Sequence, residues 1–129
     1  MVIDWSSVAR CAWSGRIKAL LARLGASSQG GLAELVCGLD GSVAFSIAEL
    51  LDLVARYMVA PSGARGEIGS SILSSLVELY RVTRGVYGVG LPAGLHRAVN
   101  KLLLGDEGAV REIVAAVEEL VKNLAGRRG

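Results

Sequence analysis

Apolar side chains recur at three- and four-residue steps along most of this chain, a spacing that places them on one face of an α-helix. The last segment shows the pattern most clearly. Its acidic start, Asp106 and Glu107, suits a helix N-terminus, and Gly126 suits its end. The apolar positions between them are Val110, Ile113, Val114, Val117, Leu120, Val121 and Leu124. Since no useful stretch alternates as a strand does, the sequence predicts an all-α fold.

Five further helices are predicted before this one. Two lie near the N-terminus, at about Asp4–Leu24 and Leu32–Cys37. Ser46-Ile-Ala-Glu49 has the form of a capping box, in which serine and glutamate each satisfy a backbone amide, and predicts a helix start there. Pro61-Ser-Gly63 closes that helix, and the next runs from about Gly66 to Arg84. Pro92 suits the first turn of a helix that ends at Gly105.

Gly- and Ser-rich breaks divide the chain into two parts. They fall at residues 25–31 and at Leu39-Asp-Gly41. We therefore expect an N-terminal helical arm over residues 1–45, a C-terminal four-helix bundle over residues 46–125, and a basic tail at residues 126–129. Ser70-Ser71 and Ser74-Ser75, in the helix after Gly66, are small enough to let another backbone approach closely.

The composition favours burial of this chain against other copies of itself. Of its 129 residues, 52% are hydrophobic and only 20% are charged, and a lone domain of this size has limited room to hide such an apolar excess. A tightly packed thermophilic bundle is the alternative. No stretch is long and apolar enough for a transmembrane helix, and residues 1–5 lack the start of a signal peptide. We therefore expect synthesis and assembly in the cytoplasm.

No constellation of residues predicts catalysis. His96 is the only histidine and lies beside Arg97 on a polar helix face, so a surface role is expected. Cys11 and Cys37 are too few for a zinc site and are read as buried thiols or, in a hyperthermophile, as a disulfide. The glycine-rich residues 85–90 follow a helix and lack the Lys-Ser/Thr ending of a phosphate loop, which indicates a flexible turn. The sequence predicts a protein that is not an enzyme and needs no cofactor or metal.

Charge alternates along a chain whose net charge is only +2. Residues 1–33 and 61–101 each carry a surplus of three positive charges, and residues 34–60 a surplus of three negative charges. Arg16 and Arg23 are seven residues apart on one side of the first helix, beside its apolar stripe. Such an edge suits phosphate contact, although an ordinary solvated face is equally consistent. Arg81 and Arg84 also suit simple complementation of a helix C-terminus, and Arg65 follows a turn.

The order of features over residues 46–121 resembles that of the major coat proteins of rod-shaped and filamentous archaeal double-stranded DNA viruses, of the rudivirus, lipothrixvirus and tristromavirus type. The resemblance rests on the order and spacing of several elements and on no invariant motif. These elements are Ser46-Ile-Ala-Glu49, Tyr57, Ala60-Pro-Ser-Gly-Ala-Arg65, Leu79-Tyr80-Arg81-Val82, Gly90-Leu-Pro-Ala-Gly-Leu95, and Gly105-Asp106 followed by Val110, Val114 and Val117.

The resemblance implies a virion protein, assembled in the host cytoplasm, whose arms wrap double-stranded DNA in A-form while its subunits dimerise and stack into a helical nucleocapsid. It also implies phosphate contacts without sequence preference, and it permits a related second coat protein and a lipid envelope. The phosphate-contact residues it suggests are Arg10, Arg16, Lys18, Arg23, Arg65, Arg81 and Arg84. The alternative is a small dimeric helical DNA-binding regulator or adaptor of a thermophilic archaeon, although the scarcity of Asn and Gln disfavours base reading.

Overall fold

The computed structural model describes residues 5–26 and 31–126, with side chains for residues 13–26 and 31–126. This part of the chain forms six helices and no strand, which confirms the predicted all-α class. The helices are α1 (Trp5–Arg23), α2 (Leu32–Val36), α3 (Gly41–Val59), α4 (Ser62–Tyr87), α5 (Ala93–Leu103) and α6 (Ala109–Ala125).

Helix α3 begins earlier than predicted because Asp40 caps it. The Asp40 carboxylate accepts hydrogen bonds from the hydroxyl and from the backbone N–H of Ser42, the latter at 2.9 Å. These bonds, the hydroxyl bond above all, hold the pKa of Asp40 below its usual 3.8. Ser46 is buried inside α3, so the predicted capping box is wrong. The predicted boundary between residues 45 and 46 falls within this helix.

Helix α4 is longer than predicted at both ends. It starts directly after Pro61, whose φ of −64° is compatible with a helix entry, so most of the expected turn at residues 60–65 is helical. At the other end, residues 85–87 continue the helix instead of forming a flexible turn. The helix stops at Gly88, whose φ of 72° lies in the left-handed region that glycine adopts readily.

The α3 and α4 helices form an antiparallel hairpin that is tied at both ends. At one end, the backbone N–H of Asp40 donates to the hydroxyl of Tyr87 at 2.9 Å. At the other end, the ring of Tyr57 lies under the guanidinium of Arg65, 5.1 Å from ring centroid to Cζ. The hairpin therefore has a fixed register, which determines the position of each surface side chain along the hairpin axis.

The principal helix contacts form a closed ring. In ring order the packed pairs are α3–α4, α4–α5, α5–α6, α6–α2, α2–α1 and α1–α3. Helix α1 runs in the same direction as α3, since Trp13 contacts Phe45 while Arg23 lies at Asp52. All six helices thus surround one hydrophobic core.

The apolar stripe predicted for the last helix is confirmed. The side chains of all seven predicted positions are buried in α6, together with Ala109 and Ala116. Helix α5 enters through Pro92 as predicted, and its buried face is Leu95, Ala98, Val99 and Leu102. Lys101 of α5 donates to Glu112 of α6 at 3.1 Å, which aligns this second hairpin.

The N-terminal segment shares the core of the remaining helices. Ile17, Leu20 and Leu21 of α1 are buried, and so are Leu32 and Val36 of α2. Their burial depends on α3 and α6, which lie on the other side of the predicted division at residue 45. The structure therefore does not confirm an arm set apart from a four-helix bundle.

Replacing Leu21 with Ala tests whether α1 is an integral part of this core. Leu21 is 1% exposed, so Leu21→Ala is expected to lower the free energy of unfolding by about 2 to 5 kcal/mol. Leu104→Ala is the matched control, because Leu104 is 88% exposed and its loss is expected to change stability by less than about 0.5 kcal/mol. Denaturant unfolding checks both values. Equal stability of the two variants would instead indicate an independent arm.

The cap of α3 predicts a pH-dependent loss of stability. Asp40→Ala is expected to cost about 1 kcal/mol near neutral pH. Because the folded pKa of Asp40 is depressed, its charge stabilises the fold fully above its unfolded pKa, and this contribution disappears as pH falls through the folded pKa. The difference in free energy of unfolding between wild type and Asp40→Ala should therefore decrease below about pH 4, as measured by unfolding curves. Asp40→Asn, whose side chain keeps a hydrogen-bond acceptor but carries no charge, is the control. A stability difference between wild type and Asp40→Ala that stays constant with pH contradicts the role of the Asp40 charge.

Candidate nucleic-acid interface and apolar surface

The α1 edge carries one cation without a carboxylate partner among the described residues. Arg16 is exposed, and its guanidinium carbon lies 5.8 Å from the centroid of the Trp13 ring. Trp13 in turn meets Phe45 edge-on, with 6.1 Å between ring centroids. The Trp13 ring thus covers one face of the Arg16 guanidinium, whose N–H donors have no carboxylate partner among the described side chains and can bind a ligand.

Two other predicted cations of α1 form ion pairs within the molecule. Lys18 lies 3.1 Å from Glu34, and this hydrogen bond is the main cause of the lowered pKa of Glu34. Arg23 lies 3.6 Å from Asp52, whose second oxygen is 2.9 Å from Arg56. One carboxylate thus serves two guanidinium groups, which leaves this cluster with a surplus positive charge. Arg56 was not singled out by the sequence, because only the fold places it beside Arg23.

Arg81 and Arg84 lie near the C-terminal end of α4. Arg81 lies 3.5 Å from Glu78 one turn earlier, whereas Arg84 forms no ion pair within the described residues. Because Tyr87 is bonded to Asp40, this end of α4 is level with the start of α3, and Phe45 lies only about 8 Å further along α3. Arg16 and Arg84 therefore lie toward the same end of the molecule.

Arg65 lies toward the opposite end and has a structural setting. Its Nη2 donates to Glu107 at 3.1 Å and to the carbonyl of Met58 at 3.4 Å, while its plane covers Tyr57. It thereby joins the α3–α4 turn to the α5–α6 turn. Along α4, Arg65 is about 24 Å from Arg81, so the two do not share one short groove. The side chain of Arg10 lies outside the described residues.

A groove lies between α3 and α4. It has a volume of about 450 Å³ and is lined by Ser46, Glu49, Leu53, Glu67, Ser70, Ser71, Ser74, Ser75 and Glu78. Only one of its three carboxylates, that of Glu78, has a cationic partner among the described side chains. The groove is therefore acidic, and phosphates are disfavoured over its centre.

The most distinctive apolar surface lies on α4. We call Gly66, Ser70, Leu73, Val77, Tyr80 and Arg84 the outer stripe; all six are exposed. Its three large apolar members, Leu73, Val77 and Tyr80, are 43%, 57% and 46% exposed. The buried face of α4, which includes Ile72, Leu76 and Leu79, lies one residue earlier in each turn. The sequence alone does not separate these two rows of residues, because both repeat with the same period and only tertiary packing distinguishes them.

Two further exposed apolar side chains lie together at the Arg65 end. Val59, at the end of α3, is 79% exposed, and Leu104, after α5, is 88% exposed. Arg65 donates to Met58, directly before Val59, and to Glu107, in the turn after Leu104. Phe45 and Val86 are exposed toward the other end of the hairpin. Apolar groups thus occur at both ends of the molecule and along one side.

The described residues were also searched for features of metal binding and membrane insertion. Within them, no group of three or more His, Cys, Asp or Glu side chains is placed to hold a metal ion. None of the helices there has the length and apolarity required to cross a bilayer. His96 is exposed, and Cys37 is half-buried after α2. The side chain of Cys11 and residues 127–129 lie outside the described part.

Comparison of the chain with protein-family models, with curated proteins and with solved structures found no match. The interpretation of this surface therefore depends on its own geometry and charges.

Truncating Arg65 distinguishes a structural role from a phosphate contact. Arg65→Ala removes the bonds to Glu107 and Met58 and the contact with Tyr57, and should lower the free energy of unfolding by about 1 to 2 kcal/mol. Arg97→Ala, an exposed arginine in no ion pair of the described structure, is the control with little expected loss. DNA titrations over a range of salt should give the same slope for Arg65→Ala as for wild type. A slope reduced by about 1 would instead support Arg65 as a phosphate ligand.

Proposed function

We propose that this protein is a structural virion protein that coats double-stranded DNA without sequence preference and assembles into a helical filament. The observation that carries the proposal is the placement of exposed apolar side chains at both ends and along one side of a fold that already has a complete core. A subunit of a filament contacts several neighbours at once, so it needs more than one apolar surface. The resemblance of residues 46–121 to archaeal filamentous-virus coat proteins adds support, but without its first element, because Ser46-Ile-Ala-Glu49 does not open a helix here.

The end surfaces suit stacking of one subunit on the next. Val59 and Leu104 form an apolar end beside the Arg65–Glu107 ion pair, and Phe45 and Val86 offer apolar contacts toward the opposite end. Contacts between unlike surfaces propagate without closing, unless the rotation between subunits closes a ring. Open propagation of this kind produces a helical polymer.

The charge distribution supports phosphate contact along the edges of the molecule. Arg16 and the Arg23–Arg56 pair supply positive charge not fully balanced by nearby carboxylates. The acidic groove between α3 and α4 makes its centre a poor site for a duplex. We therefore place the DNA along α1. A few such contacts per subunit suffice, because many subunits bind the same duplex.

Packaging chemistry explains why these contacts need no base readout. Arginine binds phosphate through a planar fork of donors, and phosphates are the same at every sequence. An apolar coat also excludes water, a condition that favours the A-form duplex that we propose for the packaged DNA. The deep, narrow major groove of an A-form helix disfavours insertion of a reading helix. A related second coat protein and an outer lipid layer are compatible extensions of this proposal.

Binding to duplexes of unrelated sequence at low salt tests the proposal directly. Equal affinities, a strong fall in affinity with salt, and filaments in electron micrographs are expected. Circular dichroism of the bound DNA should show the A-form signature. Monomeric protein without filaments in the presence of DNA would contradict the proposal. One strongly preferred sequence would instead identify a regulator.

Single-arginine variants test the proposed phosphate contacts. Arg16→Ala and Arg23→Ala should each reduce the magnitude of the slope of log affinity against log salt by about 1. Arg111→Ala, an exposed arginine of α6 away from α1 and α4, is the matched control and should leave the slope unchanged. Equal slopes for all three variants and wild type would remove Arg16 and Arg23 from the DNA contact.

A further inference from the structure

The outer stripe of α4 has the spacing of a helix-pairing seam. Its six members follow one another at steps of four, three, four, three and four residues, the alternation that keeps side chains facing a partner helix. Its apolar centre is Leu73 and Val77. Small residues, Gly66 and Ser70, occupy its N-terminal half, and large ones, Tyr80 and Arg84, its C-terminal half. The stripe is therefore strongly asymmetric in side-chain size.

We propose that two copies of this protein pair through the outer stripe with their α4 helices antiparallel, around a two-fold axis between Leu73 and Val77. This inference deepens the self-association in the proposed function and names its first interface. In this register Leu73 of each copy packs on Val77 of the other. Tyr80 meets Ser70, and Arg84 meets Gly66. Each contact occurs twice, as two-fold symmetry requires.

Side-chain size favours the antiparallel arrangement. A parallel pair would place Tyr80 against Tyr80 and leave Ser70 opposite Ser70 with space between them. In the antiparallel pair the two largest side chains of each copy, Tyr80 and Arg84, meet the small residues Ser70 and Gly66 of the other. Close packing of this kind retains the dispersion contacts that a gap would lose.

A groove beside the small half of the stripe accommodates the partner's tyrosine. It has a volume of about 320 Å³ and is lined by Tyr57, Arg65, Gly66, Gly69, Ser70, Leu73 and Leu103. Helix α5 approaches α4 closely here, since a Cβ added to Gly69 would lie 3.1 Å from the Leu103 side chain. Tyr80 of the second copy, arriving at Ser70, enters this groove with its ring on apolar surface.

Charge favours the same register. Arg84 and Glu67 form no ion pair within the described part of one chain, and both side chains are exposed. Antiparallel pairing brings each Arg84 to Gly66 of the partner, next to its Glu67, so two ion pairs form across the two-fold axis. Parallel pairing would place Arg84 against Arg84. The stripe is therefore complementary to itself in one orientation only.

Cysteine cross-linking tests both the interface and its direction. Ser70→Cys and Tyr80→Cys are made separately in a background with Cys11→Ala and Cys37→Ala, and the two proteins are mixed and oxidised. The antiparallel pair predicts disulfides between the Ser70→Cys and Tyr80→Cys chains, and few within either protein alone. Disulfides within each protein alone would show a parallel pair, and absence of all cross-links would show that the stripe is not an interface; either result overturns the proposal.

Sedimentation of variants without new cysteines provides a second test that does not depend on cross-linking. Leu73→Glu is expected to shift the protein to monomer, whereas Ala115→Glu, at an exposed apolar position of α6 outside the stripe, should leave the dimer intact. Circular dichroism confirms that both variants remain helical. An unchanged dimer in Leu73→Glu contradicts the proposal.

A charge exchange tests the register. Arg84→Glu should raise the dimer dissociation constant about fivefold, since it removes two exposed ion pairs and sets like charges together. Combining it with Glu67→Arg should restore the wild-type constant. Absence of this rescue overturns the Glu67–Arg84 pairing.

The tests separate this inference from the proposed function. A cross-linked antiparallel dimer that binds no DNA would refute the DNA-coating function and leave the interface standing. DNA-coating filaments in which the Ser70→Cys and Tyr80→Cys chains fail to cross-link would refute the antiparallel interface and leave the DNA-coating function standing.

Discussion

Closure of the helix ring is the constraint on which the rest of this structure depends. The apolar faces of α3 and α6 are covered on one flank by their hairpin partners, and α1 and α2 cover the other. Burial of apolar surface contributes about 25 cal/mol for each Å² removed from water, so this closure is worth far more than any surface ion pair. It also determines which faces remain outside. The outer stripe of α4 is exposed because none of the other described helices covers it.

Ion pairs within the molecule limit what its surface cations can bind. Lys18, Arg23, Arg65 and Arg81 each have a carboxylate within 4 Å, and each pair restrains a different part of the fold. Exposed pairs of this kind are weak, and a phosphate can displace a carboxylate from them. Arg65 differs because its contacts with Tyr57, Met58 and Glu107 join the end of α3 to the turn between α5 and α6. Several of the few charged side chains in this chain therefore pair within the fold, and only a small surplus of positive charge remains at its edges.

The sequence predicted the helical class and the buried face of α6 because a strong apolar period leaves little choice there. It misplaced the start of α3, since Ser46 and Glu49 have the spacing of a cap while Asp40, six residues earlier, makes the actual hydrogen bonds. It also separated residues 1–45 from the core, because the Gly- and Ser-rich breaks indicate turns and do not show where the next helix packs. The outer stripe and the Arg23–Asp52–Arg56 cluster depend on tertiary packing, which local periodicity does not encode.

The succession of helix contacts has a consequence for how the chain reaches this structure. The pairs α1–α2, α3–α4 and α5–α6 are neighbours in sequence, and among the main pairs only α2–α6 joins distant parts of the chain. Folds dominated by such local pairings form quickly, on the order of microseconds to milliseconds. Each hairpin is able to form as synthesis proceeds, and the ring closes when α6 emerges. A newly made chain is then compact by the time its synthesis ends.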